Sequence, residues 1–111
     1  MNQEEFQLYR DEIVELTHLL KEEWIDLKVL LQSCNLDVEH GLLINYYEDE
    51  FDNQYGYFIN PDAQLFYFEI DKDEHIKATH KEIDGSIETS CPQYVVALEE
   101  LNNLANKQQT D

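Results

Sequence analysis

Between residues 41 and 83 the chain consists of short runs rich in apolar and aromatic residues, whose side chains fall alternately into two sets with a period of two, and short polar segments separate the runs. Alternation of this kind predicts half-buried β-strands. Consecutive strands joined by short connections are antiparallel neighbours, because parallel strands need a long crossover. The stretch therefore predicts an antiparallel meander whose four strands are residues 41–48, 54–59, 64–71 and 75–83.

The same alternation assigns side chains to the two faces of the predicted sheet, since neighbouring residues of a strand point to opposite sides. In the third strand, the two sets are Leu65, Tyr67 and Glu69 against Phe66, Phe68 and Ile70. In the first strand, they are Leu42, Ile44 and Tyr46 against Leu43, Asn45 and Tyr47.

Helical periodicity flanks the strands. Residues 3–32 place apolar side chains at three-, four- and seven-residue steps without Gly or Pro, which predicts one long helix. After Asp84 and Gly85, an extended segment would allow a fifth strand around Ile87. Ser90-Cys91-Pro92 then marks a second helix start, because proline is tolerated in the first turn. That helix is expected to end near residue 106.

The predicted fold class is α+β with the order α-β-β-β-β-α, and both helices are expected on one face of a four- or five-stranded sheet. Residues 1–106 should form a single domain, with a frayed tail at 107–111. Two helices cover one face only, so the other face, or part of it, should be wet or bound to a partner. No internal repeat is evident.

The net charge is unusual for a domain of this size. Asp and Glu number 25 against 7 Lys and Arg, which gives a formal charge of -18. Residues 35–75 alone hold 11 acids and one base, Lys72. Phosphate-binding surfaces need clustered Lys and Arg, so direct nucleic-acid binding and binding to anionic membranes are both disfavoured.

The ends and cysteines indicate a cytoplasmic protein. The acidic start Met1-Asn2-Gln3-Glu4-Glu5 does not fit a signal peptide, which needs a basic segment followed by an apolar run. No apolar run approaches the ~18 residues of a membrane span. Cys34 and Cys91 are far apart and in no metal-type spacing, so two free thiols are expected.

No pattern in the chain names a reaction. Asp49 to Asn53 superficially resembles a calcium loop, but Phe51 occupies a ligand position and no closing Gly and Glu follow. His75 and His80 fall on opposite faces of a regular strand, which disfavours a shared metal site. With three glycines, the chain has no phosphate-binding loop. We therefore expect no enzyme activity, no cofactor and no metal.

The segment Tyr46–Tyr57, YYEDEFDNQYGY, combines four acids with two tyrosine pairs. The tyrosines could simply pack between strands while the acids give solubility. Solubility of a small domain needs a net charge of only about 2–8, however, so the segment is predicted to contact a basic partner. The predicted contacts are Tyr46, Tyr47, Glu48, Asp49, Glu50, Asp52, Tyr55 and Tyr57, with Asp62, Asp71, Asp73 and Glu74 as turn acids.

Three binding functions fit this pattern. The protein could neutralise a basic toxin such as a nuclease, with carboxylates steering association and tyrosines acting as anchors. It could instead imitate the phosphates of DNA, for which the acids of the first helix could form a row. It could also be an acidic interaction module without an inhibitory role.

A short, strongly acidic α+β chain carrying YYEDEFDNQYGY on its sheet resembles the small cytosolic immunity proteins of bacterial contact-dependent inhibition and polymorphic toxin systems. It also resembles small acidic DNA-mimic proteins of the same element order. The first resemblance implies a monomer that binds a cognate toxin domain, often a nuclease, tightly and stoichiometrically, and so protects the producing cell.

Overall fold

The computed structural model describes residues 1–109 and confirms the α+β meander. The four strands are antiparallel in the order β1-β2-β3-β4. In chain order the elements are α1 (Gln3–Glu22), α2 (Ile25–Ser33), β1 (Leu42–Glu48), β2 (Gln54–Ile59), β3 (Leu65–Ile70), β4 (Ile76–Lys81), α3 (Ile87–Ser90) and α4 (Tyr94–Gln109).

The single helix predicted over residues 3–32 is wrong, because the chain breaks between α1 and α2 at Glu23 and Trp24. The backbone N–H groups of both residues bond to the carbonyl of Leu19, which ends α1. Neither Gly nor Pro marks the break. The break instead allows a tertiary contact, because it brings the Trp24 ring against Tyr46 with the ring centroids 5.2 Å apart.

Helices cover both faces of the sheet. The first half of α1 joins α4 and α3 on one face, where Ile13, Ile44 and Ala97 share a buried cluster. On the opposite face, α2 buries Leu27 and Leu31 against strand residues that include Phe58 and Phe68. The prediction that the first and last helices share a face holds for α4 and the first half of α1, whereas Leu20 in the second half of α1 packs in the cluster of the opposite face. The second face is covered because the chain turns at the α1–α2 break.

A β-bulge in β1 reverses part of the predicted alternation. Leu43 pairs with Phe58, but Asn45 pairs with Tyr57, so Ile44 is an extra residue on β1. An extra residue shifts every following side chain to the other face. Tyr46 therefore packs on the α2 face with Leu43, and the prediction that it shares a face with Leu42 and Ile44 is wrong.

Two side chains bond backbone N–H groups that the strand pairing leaves unpaired, one at the bulge and one on the outer edge of β1. The Asn45 Oδ1 accepts a hydrogen bond from the Tyr57 backbone N–H at 2.9 Å. On the outer edge of β1, the hydroxyl of Thr17 in α1 accepts from the Leu43 N–H at 3.0 Å. Both polar side chains are buried. At Leu43, the edge strand is thus capped by a helix rather than open to further strand pairing.

Replacing Thr17 with valine should lower the free energy of unfolding by about 2 kcal/mol, because the shape is kept while the buried Leu43 N–H loses its acceptor. Thr17→Ser keeps the hydroxyl and should lose about 1 kcal/mol through its missing methyl group. Urea denaturation measures both changes. Hydrogen exchange at the Leu43 amide should accelerate in the valine variant and stay slow in the serine variant. Equal exchange rates would contradict the assigned bond.

The segment after β4 differs from the prediction. Residues around Ile87 form the short helix α3 and not a fifth strand, and the buried Ile87 side chain joins the cluster under α4. Helix α4 begins at Tyr94 and continues to Gln109, beyond the predicted end at residue 106. Of the tail predicted to fray, 107–109 are therefore helical, and 110–111 lie outside the described residues.

One ion pair joins the two helices on the shared face. The Arg10 Nε donates to the Glu100 Oε2 at 2.8 Å, and the Glu100 side chain is only 9% exposed. A nearly buried carboxylate needs such a partner. Within residues 1–109, no helix has the length and apolar character needed to cross a membrane.

Candidate functional site

The meander brings two acidic loops to one end of the sheet. The β1–β2 loop and the β3–β4 loop both follow strands that run in the same direction, whereas the β2–β3 loop lies at the opposite end. Of the predicted turn acids, Asp71, Asp73 and Glu74 therefore lie at the same end as the acids of residues 48–52. Asp62 does not.

The α1–α2 break adds two more carboxylates to this end. Glu23 and Asp26 line a cavity of about 390 Å³ together with Glu48 and Glu74. The helical pattern could not predict this, because an unbroken helix would not turn here. We call the nine carboxylates of these three segments the acidic end; they are Glu23, Asp26, Glu48, Asp49, Glu50, Asp52, Asp71, Asp73 and Glu74.

Asp49 and Asp71 fix the two loops in the same way. The Asp49 carboxylate accepts from the backbone N–H groups of Phe51 and Asn53 at 2.9 and 3.0 Å. The Asp71 carboxylate accepts from those of Asp73 and His75 at 2.9 and 3.0 Å. Aspartates that bond the backbone two residues on are typical of tight turns. The loops are therefore held in place before any partner arrives.

The three hairpin loops form a short repeat that the hydrophobic pattern does not reveal. An Asx residue begins each loop at 11-residue intervals, and a left-handed residue stands three positions later in each. The loop starts are Asp49, Asn60 and Asp71, and the left-handed residues are Asp52, Ala63 and Glu74, with φ of 65°, 70° and 63°. The regular Asx spacing is a sequence signal that could have located all three turns.

Hydrogen bonds keep the two loop-forming aspartates ionised. The bond from the Asn53 backbone N–H is the main reason that the pKa of Asp49 lies below its ordinary value. The bond from the His75 backbone N–H does the same for the pKa of Asp71. Donors to a carboxylate favour its charged form. Both groups are therefore negative at any pH near neutrality.

Few cations neutralise the acidic end. Its loops contain one lysine, Lys72, so nine carboxylates and one lysine give a formal charge of -8, with histidine neutral. In the described part of the chain, the one contact of this end between a basic side chain and a carboxylate is His75 Nδ1 to Asp71 Oδ2 at 3.3 Å, a hydrogen bond that becomes an ion pair only when the histidine is protonated. Lys28 pairs with Glu39, which lies elsewhere. The mutual repulsion of these carboxylates is thus largely uncompensated.

Tyr46 belongs to the framework of the acidic end. Its hydroxyl donates to the Glu48 Oε1 at 2.8 Å and lies 2.7 Å from the Gln54 Oε1. Burial, followed by the bond to Glu48, raises the pKa of Tyr46. Together with Trp24, its ring lines the cavity between Glu23, Asp26, Glu48 and Glu74. An aromatic wall ringed by carboxylates suits a Lys or Arg side chain.

The other predicted tyrosines lie on the opposite face of the sheet. Tyr47, Tyr55 and Tyr57 join Tyr67 in lining a groove of about 390 Å³, which we call the tyrosine groove. Ser90, Pro92 and Gln93, from the end of α3 and the connection to α4, line its side. This is the part of the sheet face that α4 leaves uncovered. Strand alternation puts Tyr46 and Tyr47 on opposite faces, and the bulge in β1 is what places Tyr47 on this one.

Phe51 is a surface residue that the sequence pattern did not select. It stands in the β1–β2 loop among four carboxylates, with 68% of its surface exposed. In the sequence, Phe51 stands out only because it occupies a position where a calcium loop needs a ligand. A large exposed ring within a charged surface is a common feature of protein interfaces.

One turn of the acidic end has ligand-type side chains close together. Single donor atoms of Asp71, Asp73 and His75 lie within 4.8 Å of one another, and all three residues are exposed. The Asp71 carboxylate already bonds two backbone N–H groups of its own loop. Hairpin formation accounts for this arrangement without a metal. His80 lies on the α2 face, where its ring packs against Phe66.

Comparison of the chain with protein-family models, with curated proteins and with solved structures yields no match.

Proposed function

We propose that the protein is an immunity-type inhibitor, acting in the cytoplasm, that binds a basic toxin domain through its acidic end. The observation that carries the proposal is the convergence of nine carboxylates from three chain segments with only Lys72 among them. Self-repulsion at this density opposes folding. A basic partner would relieve that repulsion on binding.

The loops suit fast and specific association. A field of one sign can raise the association rate with a basic protein by about 10–10³-fold. Asp49 and Asp71 already hold their loops through hydrogen bonds to the backbone. The loops should therefore lose little conformational entropy on binding. Preorganisation of this kind increases affinity.

Two features supply contacts beyond charge. The exposed Phe51 ring offers an apolar anchor within the surrounding carboxylates, an arrangement typical of interface hot spots. The cavity beside Trp24 and Tyr46 offers carboxylates around aromatic rings, which fits one basic side chain of the partner. Each would place a specific group and not only a general charge.

A nuclease is the partner class that this surface fits best. Nuclease active sites bind phosphates through clustered Lys and Arg, and carboxylates seated in such a cleft would exclude the nucleic acid. The proposal involves no chemistry by the inhibitor itself, so it requires neither a cofactor nor a metal. One copy would block one toxin domain.

The proposal is tested by capturing partners from the source cells on the immobilised chain and eluting with rising salt. A basic toxin domain should elute between 0.1 M and 1 M salt, over which the Debye length falls from ~10 Å to ~3 Å. The eluted domain should lose its toxic activity when one equivalent of the chain is added back. Recovery of DNA-binding proteins alone would favour DNA mimicry, and salt-independent retention would contradict the acidic interface.

A further inference from the structure

We propose that the tyrosine groove is a second part of the interface and receives an arginine side chain of the same basic partner. This inference rests on the proposed function and adds the chemistry that the partner must present. The groove lies on the sheet face opposite Tyr46 and Trp24, so it is separate from the cavity of the acidic end.

The rings of the groove are arranged in pairs across the strands. Tyr47 and Tyr55 have ring centroids 5.8 Å apart, and those of Tyr57 and Tyr67 are 5.2 Å apart. The faces of such rings attract cations, and arginine also stacks on them through its planar guanidinium. Half of the Tyr47 surface is exposed, so a partner side chain can reach it.

A lysine of the chain itself already makes a cation–π contact with one ring of the groove. The Lys81 Nζ lies 5.7 Å from the centroid of the Tyr67 ring. Within the described residues, no such cation lies over Tyr47 or Tyr55. One end of the row of rings is thus occupied by a cation from this chain, and the end next to the acidic loops is open to a cation from another.

Two hydrogen-bond acceptors at the groove favour a partner side chain that has several N–H donors. The Gln93 Oε1 is buried without a hydrogen-bond partner among the described residues. An unmet buried acceptor is unfavourable, and rotation of the half-buried Gln93 side chain toward the groove would let a partner donor relieve this. The exposed carboxylate of Glu69 lies beside Tyr55 on the next strand. Arginine has five N–H donors in a fixed fork, whereas lysine is a strongly hydrated point charge.

The groove and the acidic end form a continuous surface. Tyr55 lines the tyrosine groove and also a second hollow, where it meets Asp49, Asp71 and Glu69. A basic partner seated on the β1–β2 and β3–β4 loops would therefore extend onto the tyrosines without crossing a covered region. Charge would bring the partner, and the groove would select arginine over lysine.

The test compares acetylated and amidated hexa-arginine and hexa-lysine peptides, which carry equal charge. The native chain should bind hexa-arginine about three- to fivefold more tightly than hexa-lysine. A Tyr47→Leu, Tyr55→Leu double variant keeps apolar side chains but removes two aromatic faces, and it should lose most of the preference for hexa-arginine while binding hexa-lysine as the native chain does. In NMR spectra, hexa-arginine should shift the tyrosine ring signals and the Gln93 side-chain amide.

Three outcomes would overturn the inference. The first is an arginine preference that is as large in the double variant as in the native chain. The second is a set of NMR shifts confined to the acidic end. The third is tyrosine signals that move with protein concentration alone, which would mark the groove as a contact between two copies. If lysine reversal of Glu48, Asp49, Glu50 and Asp52 abolishes hexa-lysine binding while the groove test fails, the acidic interface stands without the groove.

Discussion

Replacing Gly56 with alanine is expected to lower the free energy of unfolding by about 3 kcal/mol. This is the largest change in stability that we predict for a single substitution. A Cβ atom at this position would clash with the backbone oxygen of Asn45 and lie 3.2 Å from the Phe68 ring. A backbone oxygen cannot rotate away as a flexible side chain can. The bulged part of β1 would have to move away from β2.

The matched control is Gly85→Ala, because a Cβ atom there meets nothing within 4 Å. That variant should unfold within about 0.5 kcal/mol of the native chain. Urea denaturation of both proteins gives the two free energies. If Gly56→Ala were as stable as Gly85→Ala, the close approach of β1 and β2 at the bulge would be wrong.

The strand order and most of the burial pattern followed from the sequence. Side-chain periodicity and short loops depend only on residues close together in the chain, so they can be identified without the tertiary structure. Leu65 and Phe66 lie on opposite faces of β3, as their alternation predicts. The bulge at Ile44 could not be foreseen, since it depends on the Asn45 side chain replacing a backbone bond to β2. That one residue decides on which faces Tyr46 and Tyr47 lie.

The same distinction holds for the candidate site. The acids of the β1–β2 loop were found from the sequence because they are contiguous. Glu23 and Asp26 were not assigned to the acidic end, because their position depends on a helix break that only the packing of Trp24 on Tyr46 explains. Asp62 is a different case, because the predicted antiparallel meander already places its turn at the end of the sheet opposite residues 48–52, and only its acidic side chain favoured it as a contact. Only strand direction separates it from the others.

Reversing the charge of Glu48, Asp49, Glu50 and Asp52 to lysine should weaken binding to a basic partner by about 100-fold or more. Most of the loss should come from slower association, because steering contributes about 10–10³-fold to the rate. Glu48, Glu50 and Asp52 are exposed. Asp49 also holds its loop, so Asp49→Asn, which keeps the oxygen acceptor, is the conservative alternative at that position.

The control must separate the position of the charge from its amount. Lysine at four exposed acids outside the acidic end changes the net charge equally and leaves the acidic end intact; these are Glu12, Asp62, Glu82 and Glu99. Circular dichroism and urea denaturation should show both variants folded. The control should bind the partner within about fivefold of the native affinity. Its substitutions lie far from the acidic end, and salt screens the electrostatic field of distant charges.

The most direct measurement is the association rate of the captured partner with the native chain, the reversed acidic end and the matched control at 0.1 M and 1 M salt. We expect fast association of the native chain and the control at 0.1 M, and slow association of the reversed variant at both concentrations. Equal rates for the two variants would show that total charge, and not the acidic end, determines binding, and would contradict the proposed interface.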